Sequence, residues 1–335
     1  MISLIKTLCE LNGTSGNEQA VAAHIGNLLK QKSADFQTDA LGNLYVHKAG
    51  RGSDKSPLMV CAHMDEVALI ITHICSDGSL CFDTVGGIDE KILPGKSVVI
   101  GGKFGVLGIK PVHLISSDQK GKALKISDMR IDIGAASADE AAQFVSPGDI
   151  AYFTTKSQDL GEDLLLCKAA DDRAGCAMLL ALLEQEFDRD LDIVFTTQEE
   201  VGCRGAAAAA YNVAPQQCVV LECTTAADNA GLPDEKCVCS VGAGPVVGYM
   251  DRGTVYDRDM VNCALTTAEE KNIPVQIKKG IFGGNDSGSI HKSRGGVKTL
   301  AVSVPCRNLH GPSLVLSKTD IVNSFKLLCE LVDKL

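Results

Sequence analysis

Five short apolar runs in this chain each end at, or shortly before, a histidine or a carboxylate. The runs lead to His63, Asp171, the pair Glu199 and Glu200, Glu222, and His310. One such run is common, but five in one chain indicate a single site at one edge of a β-sheet. Histidine and carboxylate side chains are ligands for divalent metals, so the simplest site of this kind binds two metal ions.

Strand-like and helix-like segments alternate over most of the chain. PLMVCAHM, LDIVFTT, QCVVLEC and VKTLAVSVP are predicted strands, whereas AGCAMLLALLEQE, CRGAAAAAYN and the final SKTDIVNSFKLLCELVDKL are predicted helices. This alternation predicts an α/β fold, a three-layer α/β/α catalytic domain with a mostly parallel central sheet covered on both faces. From residue 68 to 161, short β-rich runs separated by Gly, Pro and Asp predict a β-barrel-like insertion. The predicted domains are therefore 1–67 with 162–335, and 68–161.

Two serines are predicted to cap helices. Ser15 and Glu18 form a capping box before the helix that carries Val21 and Ile25. Ser317 gives a capping signal for the helix that closes the chain.

Composition excludes several classes of partner. The formal charge of -10 argues against nucleic acid, because a phosphate backbone is bound by a basic face. No run reaches the roughly 20 apolar residues that span a bilayer, and the start MISLIKTLCELNG lacks the long apolar core of a signal peptide. The 14 cysteines are spread through apolar runs, which is typical of core residues in a reducing compartment. We therefore expect a cytoplasmic protein that binds neither nucleic acid nor membrane.

Each candidate residue also has a plainer interpretation when it is taken alone. His63 and Asp65 point to the same side of an extended chain, so Asp65 can orient the ring of His63, but a hydrogen-bonded histidine needs no metal. Asp171 and Asp172 precede a helix, where one carboxylate can bridge two cations or the pair can act as an N-cap.

Glu199 and Glu200 are the most informative pair. Two acids at the end of one strand repel each other unless a cation neutralises them, although a solvated acidic turn is the alternative. Adjacent residues at a strand end point different ways, so one can bind a metal while the other acts as a general base on water. Neighbouring residues cannot easily form the facing carboxyl pair of a retaining glycosidase. The chain also lacks a GxSxG nucleophile motif and a GxxxxGK[ST] phosphate loop.

Motifs along nearly the whole chain resemble those of metallopeptidase family forty-two. These are the dinuclear-metal tetrahedral (TET) aminopeptidases, which include glutamyl, leucyl and lysyl enzymes and members labelled as endoglucanases. The matching segments, in order, are GTSGNEQAV, AHMDEV, GIKPVHL, MRIDIGAASADEA, SPGDIAYF, DDRAG, TQEEVGCRGA, GAGP, GGNDSGS and RNLHGP.

The resemblance implies two metal sites that share one ligand. One metal would be held by His63, Asp171 and Glu222. The other would be held by Asp171, Glu200 and His310, with Asp171 as the bridge. Two divalent ions per subunit, zinc or cobalt, would be the cofactors.

The resemblance also implies roles for the residues around the metals. Glu199 would be the general base that activates water for attack on the peptide, and Asp65 the orienting acid. A cis peptide bond would join Asp171 and Asp172, and Asp286 would lie near the substrate pocket. The substrates would be short peptides, cleaved after their N-terminal residue. The insertion would be a dimerisation domain, and the enzyme would form a homo-oligomer, a hollow dodecamer built from dimers.

Two departures from the family pattern affect these expectations. Many members have Asp where this chain has Glu222, and the extra methylene shifts one ligand. The usual RYxHS-like segment is CRNLHGP here, which changes the residues around His310. An endoglucanase-type glycoside hydrolase and a non-catalytic metal-binding assembly protein are the rival functions. The low aromatic content argues against the first, and a general base beside a full ligand set argues against the second.

Overall fold

The computed structural model describes residues 1–52, 56–111, 113 and 125–335, and part of the GIKPVHL segment lies outside these ranges. The helices are α1 (Ile2–Glu10), α2 (Gln19–Gln31), α3 (Ala138–Ala141), α4 (Ala170–Leu182), α5 (Arg204–Val213), α6 (Arg258–Glu270), α7 (Ser287–Ile290) and α8 (Lys318–Val332). The strands are β1 (Gln37–Thr38), β2 (Leu44–Lys48), β3 (Leu58–His63), β4 (Ala68–Ile74), β5 (Leu80–Val85), β6 (Ser97–Ile100), β7 (Lys103–Ile109), β8 (Met129–Asp132), β9 (Ile150–Phe153), β10 (Gln158–Leu160), β11 (Leu164–Cys167), β12 (Leu191–Thr196), β13 (Gln217–Thr225), β14 (Val246–Val247), β15 (Gln276–Ile277), β16 (Lys298–Arg307) and β17 (Leu314–Ser317).

The chain divides into two compact units. The first comprises Met1–Glu66, Lys156–Leu309 and Ser313–Leu335, and the second comprises Val67–Thr155 and His310–Pro312. The chain re-enters the first unit before residue 162, because β10 pairs with β11 of the large sheet. The domain boundaries expected from the sequence, and the dimerisation role of the insertion, stay predictions.

A large mixed sheet forms the centre of the first unit. Its strands follow the order β1-β2-β12-β3-β13-β16-β17-β11-β10, with β14 and β15 paired beside β16. The central strands β12, β3, β13 and β16 are parallel, whereas the strands toward both edges pair antiparallel. The α/β fold class with a mostly parallel central sheet is therefore confirmed.

Strand β3 shows why this sheet is covered on both faces. Leu58, Val60 and Ala62 pack in the core cluster that contains the apolar residues of α4. Met59 and Cys61 pack in another cluster, with the buried alanines of α5. Successive side chains of a strand point to opposite faces, so an uninterrupted apolar run buries both of them. The continuous apolar composition of the segment thus follows from its central place between two helical layers.

The second unit contains a closed β-barrel. Its strands follow the order β4-β5-β8-β7-β6-β9, and the paired neighbours run antiparallel. Leu69, Phe82, Leu107 and Phe153 belong to a core cluster of its own. The prediction of a β-barrel-like region in the middle of the chain is confirmed.

One of the two predicted helix caps is confirmed and the other is wrong. The Oγ of Ser317 accepts a hydrogen bond from the N–H of Asp320 at 3.0 Å, at the start of α8. Helix α2 begins without a side-chain cap, and the Oγ of Ser15 donates to Oδ2 of Asp65 at 2.6 Å instead. A hydrogen bond to a charged carboxylate is stronger than one to a neutral group, which explains why Ser15 pairs there.

No helix among the described residues is both long and apolar enough to cross a bilayer. The cytoplasmic location stays a prediction.

Candidate metal centre

The register of two parallel strands brings His63 and Glu222 together. Strand β3 pairs with β13 through Met59 and Cys218, Val60 and Val219, and Cys61 and Val220. Two residues further along, the strands reach His63 and Glu222. Because side chains alternate between faces, both then lie on one face at the carboxyl end of the sheet. The Nε2 of His63 is 3.3 Å from Oε1 of Glu222, and both residues are buried.

Asp171 approaches the same histidine from the start of α4. Its Oδ1 is 3.4 Å from Nε2 of His63. Asp171 and Asp172 have non-helical backbone angles, and the peptide bond between them is cis, as the resemblance implies. The Oδ1 of Asp172 accepts the N–H of Gly175 at 2.9 Å, so the N-cap interpretation applies to Asp172 alone. A Cβ at Gly175 would lie 2.2 Å from that carboxylate, so glycine is required for this approach.

The three side chains fit a divalent cation. His63, Asp171 and Glu222 each offer a ligand atom, and these atoms lie within 4.8 Å of one another. Nε2 of His63 lies close to two carboxylate oxygens but forms no hydrogen bond of suitable geometry among the described residues, and neither does the buried Oε2 of Glu222. Buried polar atoms are normally satisfied, and one imidazole nitrogen with two carboxylates is a usual ligand set for zinc and related metals. A bound cation would satisfy these two atoms of His63 and Glu222.

The clustered acidic side chains of this site also favour a bound cation. Burial, together with the carboxylate of Asp171, raises the pKa of Glu222 well above its ordinary value, and nearby His63 opposes the rise. Burial also raises the pKa of Asp172. Buried carboxylates at short range cannot all be ionised without a counter-charge, so a cation would remove the main electrostatic cost.

Asp65 holds two parts of the site in place. The Nδ1 of His63 lies 3.0 Å from the main-chain oxygen of Asp65 and 3.4 Å from its Oδ1. The main-chain N–H groups of Glu199 and Glu200 donate to the Asp65 carboxylate at 3.0 and 3.1 Å. Burial alone would raise the pKa of Asp65, but hydrogen bonds from His63, Ser15 and Glu199 hold it below its ordinary value. Asp65 thus orients His63 mainly through its carbonyl and anchors the acidic turn through its carboxylate.

Glu199 lies in a crowded acidic environment after β12. Its main-chain oxygen accepts the N–H groups of Gly202 and Cys203 at 2.8 and 2.9 Å, which form the turn. Burial first, and then the carboxylates of Asp286 and Glu200, raise the pKa of Glu199 to about 8. Burial is the main cause of this raised pKa, and repulsion from the adjacent Glu200 is one of the smaller contributions.

Asp286 and His310 are fixed by different contacts. Asp286 is buried just before α7, and its Oδ2 accepts the hydroxyl of Thr196 at 2.6 Å. Burial raises the pKa of Asp286 to about 6. His310 belongs to the second unit, where its Nδ1 lies 2.9 Å from the oxygen of Gly87. In the CRNLHGP segment, which differs from the usual family pattern, Arg307 forms two hydrogen bonds of 2.7 Å with Asp228.

A buried ionic network beside the site was not expected from the sequence. Nζ of Lys168 donates to Oε1 of Glu66 at 2.7 Å. Arg173 is fully buried and donates to the main-chain oxygens of Met64 and Gly13 at 2.8 and 3.1 Å. These bonds join the segment after β3 to the start of α4. A basic residue on each side of the DD pair, within an otherwise apolar stretch, is the signal that could have revealed them.

A separate cleft lies at the opposite edge of the sheet. Its volume is about 860 Å³, and Gln217 and Lys298, at the starts of β13 and β16, are among its lining residues. In open α/β sheets, ligands bind at the carboxyl ends of the strands. The ligand-type residues at those ends therefore form the candidate site, and this cleft does not.

A buried histidine and buried carboxylates at the carboxyl edge of a parallel sheet are side-chain types that can bind a divalent metal. The profile of the M42 glutamyl aminopeptidase family matches residues 42–327, so the chain belongs to this family. The resemblance drawn from the sequence motifs is confirmed, and the protein is a metallo-aminopeptidase.

Relatives with different names match this chain over nearly its whole length. Lysyl aminopeptidase from Pyrococcus furiosus is 30% identical over 345 residues, which cover 99% of this chain and 96% of the relative. The structure of the Pyrococcus horikoshii TET1 peptidase, described as able to assemble into a tetrahedron or a large octahedral shell, has a TM-score of 0.86 and 32% identity, covering 100% of this chain and 99% of its own. An endoglucanase from Thermotoga maritima has a TM-score of 0.81 and 34% identity, with coverages of 98% and 96%.

Proposed function

We propose that this enzyme uses two divalent metals to remove N-terminal residues from short peptides. The observation that carries the proposal is the buried group of His63, Asp171 and Glu222. Its ligand atoms lie within 4.8 Å of one another, and Nε2 of His63 forms no hydrogen bond of suitable geometry among the described residues. Buried polar groups of this kind are costly unless they are paired or coordinate a metal.

The first cation would be held by His63, Asp171 and Glu222. The second would be held by Asp171, Glu200 and His310, and family membership supports this second set. Nitrogen and oxygen ligands without sulfur suit zinc or cobalt. When bound, such cations would supply Lewis acidity, which polarises a peptide carbonyl and lowers the pKa of water.

Glu199 is the general base of the reaction. Its carboxylate accepts a proton from the attacking water and returns it to the nitrogen of the leaving amine. The hydrogen bond from the Glu199 N–H to Asp65 fixes the main chain from which this carboxylate projects. Burial, with a smaller contribution from surrounding acids, raises the pKa of Glu199, which suits a group that must hold a proton between two steps. Asp65 acts as the orienting acid, and Asp286 lies at the edge of the substrate site.

Replacing Glu199 with Gln separates proton transfer from metal binding. The amide keeps the size of the side chain but cannot accept the proton, so hydrolysis of aminoacyl-p-nitroanilides should fall by about 100-fold or more. Metal content per chain, measured after removal of free metal, should stay that of the wild type. Glu269→Gln, at an exposed position of α6, is the matched control and should retain activity. Wild-type-like activity of Glu199→Gln would contradict the assigned role.

An endoglucanase is the second candidate, because the Thermotoga maritima structure carries that name. A retaining glycosidase needs two facing carboxyl groups about 5 Å apart and no metal. Release of reducing sugar from a β-glucan that persists after chelation would support this candidate. We expect no such release, and we expect chelation to abolish peptidase activity.

The chain forms a homo-oligomer through its barrel unit, and dimers assemble into a dodecamer. The shells described for the Pyrococcus horikoshii peptidase support assembly. On β7 of this chain, Phe104 is 77% exposed and Val106 is 47% exposed. Adjacent exposed apolar side chains on one strand face are typical of an interaction surface.

A further inference from the structure

A second group of ligand-type side chains lies beside the proposed centre. Glu199, Cys203 and Asp286 each offer one ligand atom, and these atoms lie within 4.8 Å of one another. Glu199 and Cys203 are brought together by the turn after β12, in which the N–H of Cys203 donates to the oxygen of Glu199 at 2.9 Å. Asp286 comes from the segment before α7. The group therefore joins two separate parts of the first unit.

The distance between sulfur and carboxylate already suits a metal. The thiol of Cys203 donates a hydrogen bond to Oε1 of Glu199, and the Sγ and Oε1 atoms are 3.4 Å apart. Around a tetrahedral zinc ion, with Zn–S near 2.3 Å and Zn–O near 2.0 Å, the sulfur and oxygen ligands are about 3.5 Å apart. A cation can therefore bind these two residues with little movement of the turn.

Asp286 supplies an independent indication of a missing partner. It is 1% exposed, and its Oδ2 is held by the hydroxyl of Thr196 at 2.6 Å. Its Oδ1 is buried and forms no hydrogen bond of suitable geometry among the described residues, although the thiol of Cys203 lies within 4.8 Å of the ligand atom of Asp286. A buried carboxylate oxygen without a donor is costly, and a bound cation would satisfy it.

The sulfur ligand determines which cations fit. Thiolate ligands favour soft or borderline metals such as Zn²⁺ and Cd²⁺, whereas Mg²⁺, Ca²⁺ and Mn²⁺ prefer oxygen ligands. The thiol of Cys203 loses its proton to solvent when it binds the metal. This site therefore differs in chemistry from the proposed catalytic sites, whose ligands are nitrogen and oxygen atoms only.

We propose that Glu199, Cys203 and Asp286 bind a further zinc or cadmium ion, which inhibits the enzyme by occupying the carboxylate of Glu199. The inhibition rests on the proposed function of Glu199 as the general base, whereas the binding site does not. Excess zinc would thus compete with proton transfer rather than with the metals needed for activity.

Cadmium binding tests the site without any measurement of activity. The metal-loaded wild-type enzyme is freed of unbound metal and titrated with CdCl₂, and the thiolate-to-cadmium absorption band in the ultraviolet is recorded. We expect part of this band to be lost in both Cys203→Ala and Cys203→Ser, and to remain in Cys263→Ala. Cys263 is also partly buried and lies on α6, so it is the matched control. The cysteines other than Cys203 and Cys263 contribute equally to all the spectra. A band of unchanged amplitude in the two Cys203 variants would overturn the site.

Zinc inhibition tests the consequence of binding. Cys203→Ala and Cys203→Ser should need at least tenfold more zinc than the wild type for half-inhibition, and Cys263→Ala should match the wild type. Equal zinc sensitivity of all four proteins, with the cadmium band lost, would overturn the inhibition but keep the site. A protein without peptidase activity that still shows the Cys203-dependent band would refute the proposed function and leave the binding site intact.

Discussion

The carboxylate of Asp65 holds the turn that carries both functional glutamates. It accepts the N–H groups of Glu199 and Glu200 at 3.0 and 3.1 Å and the hydroxyl of Ser15 at 2.6 Å. Asp65→Asn keeps the shape of the side chain but replaces one oxygen with an NH₂ group. Whichever way the amide is turned, the N–H of either Glu199 or Glu200 then faces another donor.

The cost follows from that single unpaired N–H. Leaving a buried donor without an acceptor costs about 1–3 kcal/mol. With an unfolding entropy of about 2.1 cal/mol/K per residue, a loss of about 2 kcal/mol lowers the melting temperature of a chain this size by about 3 °C. Displacement of the turn should also reduce kcat/KM by about tenfold to 100-fold, because small errors in the position of a catalytic group are costly.

Thermal unfolding of the metal-free protein, followed by circular dichroism, measures this cost without a contribution from metal binding. Ser15→Ala removes one hydroxyl donor and leaves both main-chain bonds to Asp65, so its melting temperature should fall by about half as much, from a loss of about 1 kcal/mol. Asp35→Asn changes an exposed carboxylate in the same way and should melt with the wild type. If Asp65→Asn has the same melting temperature and the same kcat/KM as Asp35→Asn, the carboxylate of Asp65 does not hold the turn.

Three further results are expected. Glu222→Asp shortens the side chain by one methylene and moves its carboxylate, whose Oε1 is 3.3 Å from Nε2 of His63, away from the site. Metal affinity measured by calorimetry should therefore fall at least tenfold. Unchanged affinity would contradict the assignment of Glu222 as a ligand. Burial and neighbouring acids raise the pKa of Glu199 from 4.5 to about 8, and burial raises the pKa of Asp286 from 3.8 to about 6. Between these values the folded protein binds more protons than the unfolded chain. The metal-free protein should therefore lose thermal stability as the pH rises from about 4 to 8. Loaded metal should suppress this decline, and a flat profile without metal would exclude these shifts. Phe104→Asp places a charge on the exposed face of β7, so light scattering should show smaller assemblies while the melting temperature stays near that of the wild type.

Local sequence patterns predicted the type and order of the elements because the relevant signals are short-range. The run LMVCAH is apolar at every position before its histidine, and it forms a strand buried on both faces. The serine of SKTD caps the last helix as expected. Ser15 shows the limit of such patterns, because a distant buried carboxylate forms a stronger hydrogen bond with it than a helix end does.

Within the site, the sequence indicated which residues gather but not what each one contacts. The DD pair illustrates this, because its two interpretations apply to different residues: Asp172 binds the N–H of Gly175 while Asp171 faces His63. Adjacent residues can take opposite roles only through backbone angles that the residue types do not reveal. The same holds for Asp65, whose carbonyl rather than its carboxylate lies nearer to the ring of His63.

By itself, the sequence determined that strands of this chain end in metal-ligand residue types, because the apolar composition of each run and the residue that ends it are properties of short segments. Only the tertiary structure decided that His63 and Glu222 lie 3.3 Å apart, that Asp65 anchors the glutamate turn, and that Lys168 and Arg173 form a buried network beside them. The register of β3 against β13 and the packing of α4 on both strands set these positions. Register and packing depend on contacts between residues far apart in the chain, and no short segment contains them.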